Sequence, residues 1–274
     1  MVLVNLKVFV SVLFCACVSF ARAQLIPVEQ NETSFLVSSV PTMTFLYAGK
    51  DAKATLIFLP GGTGHSGLKP TTPETSPFFT KYHFNLMLKR LSSSQDTRGL
   101  FNVVIFDNPT VLPQATKYTY PYSRASTDHL VRVDSVVKHY KTLLSKPIWL
   151  IGHSNGAASM TEYYKKLQKT KQDSLISGMV YSGSIHGAEF EPNTTVPVLF
   201  LHHENDGCDA ATAKQSQRVF QKLREQGNLK AEFAAVTGGD VESKDPCQSG
   251  LHMYFGAEKE AANHIDLFAT KYVD

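Results

Sequence analysis

Gly152-His153-Ser154-Asn155-Gly156 carries the strongest chemical signal in this 274-residue chain. The five residues match G-x-S-x-G. They stand between an apolar run, Ile148 to Ile151, and a helix-forming stretch, Asn155 to Leu167. That strand–turn–helix context is what a nucleophile elbow requires. Such a turn lifts the serine hydroxyl clear of a sheet, and side chains at the flanking glycine positions would clash with the chain passing close by. It also starts a helix at the serine, so the N–H of Asn155 points toward an oxygen that turns negative when Ser154 attacks a carbonyl. The alternative is a helix N-cap serine between two packing glycines.

A second small-residue run, Pro60-Gly61-Gly62-Thr63-Gly64, follows directly on another apolar run, Ala54 to Leu59. A loop in that place supplies the other oxyanion donor of this chemistry. Gly61, Gly62, Thr63 and Asn155 are therefore the candidate oxyanion and substrate-binding residues, with Gly62 or Thr63 as the loop donor. A phosphate cradle would need Lys-Ser or Lys-Thr at the helix start; the run continues His65-Ser66-Gly67 instead.

A serine nucleophile needs a base and an acid that orients it, in the chain order Ser, acid, His. Asp206 lies five residues past the late apolar run Val196 to Leu201 and is the expected acid, ahead of Glu204, Asp209 and Glu189. Downstream of it stand only His252 and His264. His264 falls inside an apparent terminal helix, whereas His252 falls in the loop before it. Catalytic groups concentrate on such loops, so His252 is the expected base. His153 is read as packing beside the elbow, and His65, His202 and His203 as possible pocket lining. Adjacent histidines diverge in extended chain and chelate poorly. With no HExxH and no spaced-cysteine pattern, no metal is expected.

The elements that must position these residues alternate. Runs of strand character occur at Thr42 to Tyr47, Ala54 to Leu59, Val103 to Phe106, Ile148 to Ile151, Ile176 to Tyr181, Val196 to Leu201 and Lys230 to Val236. Helical spacing marks Phe84 to Leu91, Ser126 to Leu144, Asn155 to Leu167, Ala211 to Leu223 and Glu258 to Tyr272. Continuous apolar strands alternating with helices predict an α/β fold: one mainly parallel sheet with helices on both faces. Ligands bind such sheets beyond the carboxyl ends of the strands, which is where the candidate residues stand. Residues 61–77 and 108–123, the latter with Tyr118, Tyr120 and Tyr122, are the loops expected to shape a pocket. Little chain separates Tyr181 from Val196, so no large lid is expected.

Hydrophobic residues at 43% and charged residues at 19% fit an ordinary globular chain. Lys7 and Arg22 account for two of the three excess positive charges. No clustered basic face remains for nucleic acid. Residues 1–23 read as a secretory signal: Lys7, an apolar stretch from Val8 to Phe20, and the small-x-small site Ala21-Arg22-Ala23. The apolar stretch is short for a bilayer span, and no later segment suits one, so no stable membrane span is expected once the signal is cleaved. Residues 24–274 then form a single domain that is secreted or periplasmic. Cys15 and Cys17 leave with the leader, and Cys208 and Cys247 remain as an even pair in an exported chain, which predicts a disulfide. That bond would tether the loop of Asp206 to the loop of His252.

LIFLPGGTG, IWLIGHSNGAAS, VPVLFLHHENDGC and the DPC segment followed by His252 together resemble the α/β-hydrolase superfamily, over residues 40–272. The resemblance is to exported bacterial hydrolases of unassigned substrate. It implies Ser154, Asp206 and His252 in the triad roles, without a cofactor. Leu251-His252-Met253 departs from the His-Gly pair expected there. The expectation is a carboxylic-ester hydrolase acting on a small ester-like substrate through an acyl-enzyme on Ser154. The same residues would serve a serine peptidase or thioesterase, and a non-catalytic binding protein on the same scaffold is a further alternative.

Overall fold

The computed structural model describes residues 23–32, 34, 37, 39–68, 84–93, 100–109, 124–241, 245–248 and 250–273. Most of the proposed leader, 1–22, therefore lies outside the described residues. So do the larger parts of both expected pocket loops, including Tyr118, Tyr120 and Tyr122.

Eight strands form one sheet: β1 (Ala23–Val28), β2 (Thr42–Tyr47), β3 (Ala54–Leu59), β4 (Phe101–Asp107), β5 (Ile148–His153), β6 (Ile176–Ser182), β7 (Val198–His203) and β8 (Ala231–Val236). Their order is β1-β2-β4-β3-β5-β6-β7-β8. β1 and β2 pair antiparallel at one edge, and all pairs from β4 to β8 are parallel. The helices among the described residues are α1 (Phe84–Ser93), α2 (Thr127–Leu144), α3 (Asn155–Lys169), α4 (Ala213–Glu225) and α5 (Glu258–Thr270).

Alternation along the buried strands divides the core in two. Ile57, Leu59, Leu150 and Phe200 face α2, α3 and α4, packing with Val133, Met160 and Val219. Leu56, Phe58, Trp149 and Ile151 face α1 and α5, packing with Leu88, Ile265 and Phe268. A sheet covered on both faces can only be entered at the strand ends, and the parallel strands all point their carboxyl ends the same way. Because β3 and β5 are neighbours in register from Thr55 to Leu59, the loop after β3 is brought against the turn after β5.

The expected strands and helices all occur, with differences at their ends. β5 runs on through Gly152 and His153, and β7 through His202 and His203, because these residues still pair with β6 and β8. β7 begins at Val198, after Pro197, which has no N–H to donate to a ladder. β1 was not expected. It contains Pro27, which an edge strand tolerates. No helix among the described residues is long and apolar enough to cross a membrane.

Candidate active site

Ser154 sits between β5 and α3 with φ 53° and ψ −123°. This is left-handed territory that a residue with a Cβ occupies at a cost of about 1–3 kcal/mol, held by the structure around it. Two things hold it here. The Ser154 N–H donates to the Ser182 carbonyl at 2.9 Å. The glycines on either side let three chain segments meet: a Cβ on Gly156 would lie 1.9 Å from the Leu59 carbonyl oxygen, and one on Gly152 would lie 2.7 Å from the Gly156 oxygen. The G-x-S-x-G spacing thus has a steric reason in this chain.

The loop after β3 abuts the serine. A Cβ on Gly61 would fall 2.9 Å from Ser154 Cβ and 3.4 Å from Ser154 Oγ. The N–H groups of Gly62 and Thr63 have no acceptor among the described residues. Asn155 is the first residue of α3, so its N–H is one of those a helix cannot satisfy internally. Its side-chain amide donates to the Gly62 carbonyl at 2.8 Å, which ties the loop to the helix.

Asp206 and His252 come together from separate parts of the chain. Asp206 follows β7, and His252 lies in a 3-10 turn, Gly250–Met253, before α5. His252 Nδ1 donates to Asp206 Oδ2 at 2.7 Å, with both side chains almost wholly buried. The other carboxylate oxygen accepts the Cys208 N–H at 2.9 Å. Burial by itself pushes the Asp206 carboxyl up. The hydrogen bonds from His202 and His252, the His252 charge and the Cys208 N–H outweigh it, and hold the carboxyl well below the usual carboxylate range. His252 Nε2, the nitrogen a base would use, is buried and has no hydrogen-bond partner among the described residues. Ser154 and His252 are therefore not hydrogen-bonded in this arrangement. Such contacts are often loose without substrate.

Cys208 and Cys247 form a disulfide, 39 residues apart in sequence. It joins the Asp206 loop to the segment leading into the His252 turn.

The competing residues stand elsewhere. His264 is on α5, one-third exposed, with Nε2 3.8 Å from Glu260. Glu189 pairs with Lys222 at the surface, and Glu204 and Asp209 are exposed. His153 does pack beside the elbow, its ring 4.7 Å from that of His252 and 4.1 Å from that of Phe84. Its protonation follows from its partners. Tyr254 Oη gives its proton to the Leu201 carbonyl, so Ser182 Oγ must donate to Tyr254, and His153 Nδ1–H donates to Ser182. Burial, together with the charges of His252 and His202, pulls the His153 imidazole well below its ordinary range, against the opposing Asp206 charge.

The expectation that His202 and His203 line a pocket needs correction, whereas His65 stays exposed on the loop after β3. His203 is buried and hydrogen-bonded to the Gly238 carbonyl at 2.7 Å. His65 binds Asp107 at 3.1 Å. His202 is wholly buried, with Nε2 3.0 Å from Asp206 Oδ2 and 2.9 Å from the Ala211 carbonyl. Two acceptors at one nitrogen place the proton on Nε2. His202 Nδ1 meets Ser216 Oγ at 2.8 Å, and Ser216 meets Ser184 Oγ at 2.8 Å. Asp206 is thus gripped by two histidines, and only one was foreseen. The His202-His203 pair directly after an apolar strand was the available signal. Arg124 was missed altogether: its buried guanidinium holds the carbonyls of Pro60, Gly61 and Gly62. Nothing in the local sequence sets it apart from a surface arginine.

Among the described residues, no group of three His, Cys, Asp or Glu side chains is arranged to hold a metal ion.

Solved structures align over nearly the whole chain. A serine hydrolase without a lid from Xanthomonas campestris aligns with a TM-score of 0.59 over 92% of this chain and 95% of its own, at 11% identity. The fold is that of the α/β-hydrolases. Dienelactone hydrolase from Anabaena variabilis gives 0.58 at 13% identity, covering 92% of this chain and 100% of its own. Proline iminopeptidase from Mycobacterium smegmatis gives 0.56 at 13% identity, covering 91% and 99%. No protein-family model matches the chain, and no curated protein matches it in sequence. In this α/β-hydrolase fold, residues 183–197 join β6 to β7 without a lid domain.

Proposed function

We propose that the protein is an exported serine hydrolase that cleaves a small ester-like substrate through an acyl-enzyme on Ser154. The observation that carries this reading is the convergence of three features at one set of strand ends. Ser154 stands in a strained elbow, N–H groups at Gly62 and Thr63 that are unpaired among the described residues stand in the loop against it, and a buried Asp206–His252 pair leaves His252 Nε2 without a partner among the described residues.

In the reaction, Ser154 Oγ bonds to the substrate carbonyl carbon and its proton passes to His252 Nε2. The carbonyl electron pair moves onto oxygen, where the N–H groups of Asn155 and of Gly62 or Thr63 receive it. The intermediate collapses, the bond to the leaving oxygen breaks, and that oxygen takes the proton from His252. Water then repeats the sequence on the acyl-enzyme, releasing a carboxylic acid and restoring Ser154. Asp206 holds the His252 tautomer with Nδ1–H, so that Nε2 is the basic nitrogen.

Export is supported by the signal-like residues 1–23 and by the Cys208–Cys247 disulfide, which persists in oxidising compartments.

The test is covalent labelling of the mature protein with a fluorophosphonate probe, in wild type, Ser154→Ala, His252→Ala and His264→Ala. Labelling is expected in wild type and His264→Ala and is lost in the other two. A folded wild type that does not label overturns the proposal, and labelling lost with His264 but kept without His252 reassigns the base.

A further inference from the structure

Arg124 lies in the segment leading into α2, far in sequence from the loop it serves, and its side chain is wholly buried. Nη2 donates to three successive carbonyls, Pro60 at 2.8 Å, Gly61 at 3.1 Å and Gly62 at 2.9 Å. Nη1 donates to Ser159 Oγ on α3 at 2.9 Å. The fourth carbonyl of the loop, Thr63, accepts from Asn108 Nδ2 at 2.9 Å. Asn108 is itself fixed by His129 Nδ1 at 3.0 Å, and His129 Nε2 meets Ser159 at 2.8 Å. Burial, aided by the charges of Arg124 and Arg132, pulls that imidazole well below its ordinary range. Four consecutive carbonyls are thus drawn to one buried cluster with Arg124 at its centre.

A planar trans peptide makes this consequential. The carbonyl of one residue and the N–H of the next point in opposite directions. With the Gly61 and Gly62 carbonyls turned onto the guanidinium, the N–H groups of Gly62 and Thr63 must point away from it. These are the loop N–H groups that have no acceptor among the described residues. The loop carrying them is the one whose Gly61 comes against Ser154 Oγ.

We propose that Arg124 is a positioning residue for the oxyanion site. Its guanidinium holds the 60–62 carbonyls back so that the Gly62 and Thr63 N–H groups face the reacting carbonyl, and it sets a fixed positive charge one peptide plane behind them. The proposal rests on the serine-hydrolase reading above. A preorganised dipole in a water-poor site acts most on the charge that develops in the transition state. Arg124 therefore affects the rate of bond formation to Ser154 far more than ground-state binding. Lysine cannot reproduce the role fully, because an ammonium lacks the planar fork that spans several oxygens.

The experiment compares wild type, Arg124→Met and Arg124→Lys, each first shown to be folded at the assay temperature by circular dichroism. Two probes are used: a fluorophosphonate, whose reaction rate is resolved into half-saturating concentration and limiting rate, and phenylboronic acid, which forms a tetrahedral adduct on a reactive serine. In Arg124→Met the limiting rate is expected to fall about 100-fold, as for loss of an oxyanion donor, while the half-saturating concentration changes by less than about threefold. Phenylboronic acid affinity should fall by a similar factor, and Arg124→Lys should lie between. A folded Met variant reacting at the wild-type rate, or a loss confined to half-saturation, overturns the proposal. Where the Met variant does not fold, Arg124→Lys decides: a rate at least about tenfold lower supports it, and an unchanged rate overturns it. Wild type reacting while the variants are unchanged rejects only the Arg124 role. Wild type failing to react at Ser154 rejects the hydrolase reading and this inference with it.

Discussion

The two halves of the candidate site are built in different ways. On the Ser154 side, between β3 and β5, backbone meets backbone. Gly152 and Gly156 leave no room for a Cβ, Ser154 is strained, and the loop of residues 60–63 is pinned through its carbonyls. On the Asp206–His252 side, beyond β7, long-range side-chain bonds and one covalent link bring together loops that are otherwise independent. Asp206 takes hydrogen bonds from His202, His252 and Cys208, and Cys208 is bonded to Cys247. The first half relies on close packing, which tolerates no added atom, and the second on polar and covalent ties. Damage to the two should therefore differ in kind: added volume breaks the first, and removal of a donor, acceptor or crosslink breaks the second.

Paired glycine substitutions test this most severely. Gly156→Ala drives a Cβ into the Leu59 backbone, where neither the strand nor the helix can yield cheaply. A stability loss of about 3–5 kcal/mol in urea unfolding is expected, with fluorophosphonate labelling near background. Gly207→Ala, in the acid loop, meets only the Pro246 side chain at 3.3 Å. It should cost less than about 1 kcal/mol and keep labelling. Equal losses in the two variants would erase the proposed contrast.

Asp206→Asn is the converse: almost no change in volume, but a loss of charge and a changed hydrogen-bond sign. Turnover of p-nitrophenyl acetate should fall about 10³–10⁴-fold, since the imidazole loses the carboxylate that fixes its tautomer. A fall of less than tenfold would show that His252 is held by something else.

Reducing the disulfide, or replacing it by Cys208→Ser with Cys247→Ser, should lower stability by about 4 kcal/mol on the loop-entropy argument. Labelling should slow by up to about tenfold in protein that remains folded, because local opening beside Asp206 becomes easier. An unchanged labelling rate in the folded double variant would make the crosslink irrelevant to the site.

Acid should act gradually and in two windows. The His129 and His153 imidazoles are depressed in the fold, so below about pH 6.5 the unfolded chain takes up protons that the folded one does not. Stability therefore falls as pH drops below that value. The depressed Asp206 carboxyl adds a second loss that begins near the ordinary carboxylate pKa of about 4 and continues as pH falls toward its folded value. Thermal melts from pH 8 to 3 should show both. In His153→Phe the decline between about pH 6.5 and 5 should be shallower, and an identical slope would remove His153 from the account.

Much of this molecule was legible in the chain itself. Apolar runs with the period of strands and helices marked every element of the parallel sheet, because burial on both faces demands continuous hydrophobic strands. The Ser154 turn and the Asp206–His252 contact were legible because the proposed chemistry needs particular residue types directly after particular strands. The Cys208–Cys247 pair was legible because only two cysteines stand outside the stretch read as leader, an even number. β1 was not: Ala23–Val28 pairs only with β2 at a sheet edge, and it follows a stretch read as leader.

His202 and Arg124 were decided only by the tertiary structure. A histidine at the end of a strand and an arginine before a helix have sequence neighbourhoods like those of many exposed polar residues. Their roles come from which oxygens the folded chain brings to within 3.1 Å of their nitrogens: Asp206 and Ala211 for one, three loop carbonyls for the other. Hydrophobic period and local steric need are written residue by residue along a chain. The partner of a buried polar group is fixed only by long-range packing, and so appears only once the chain has folded.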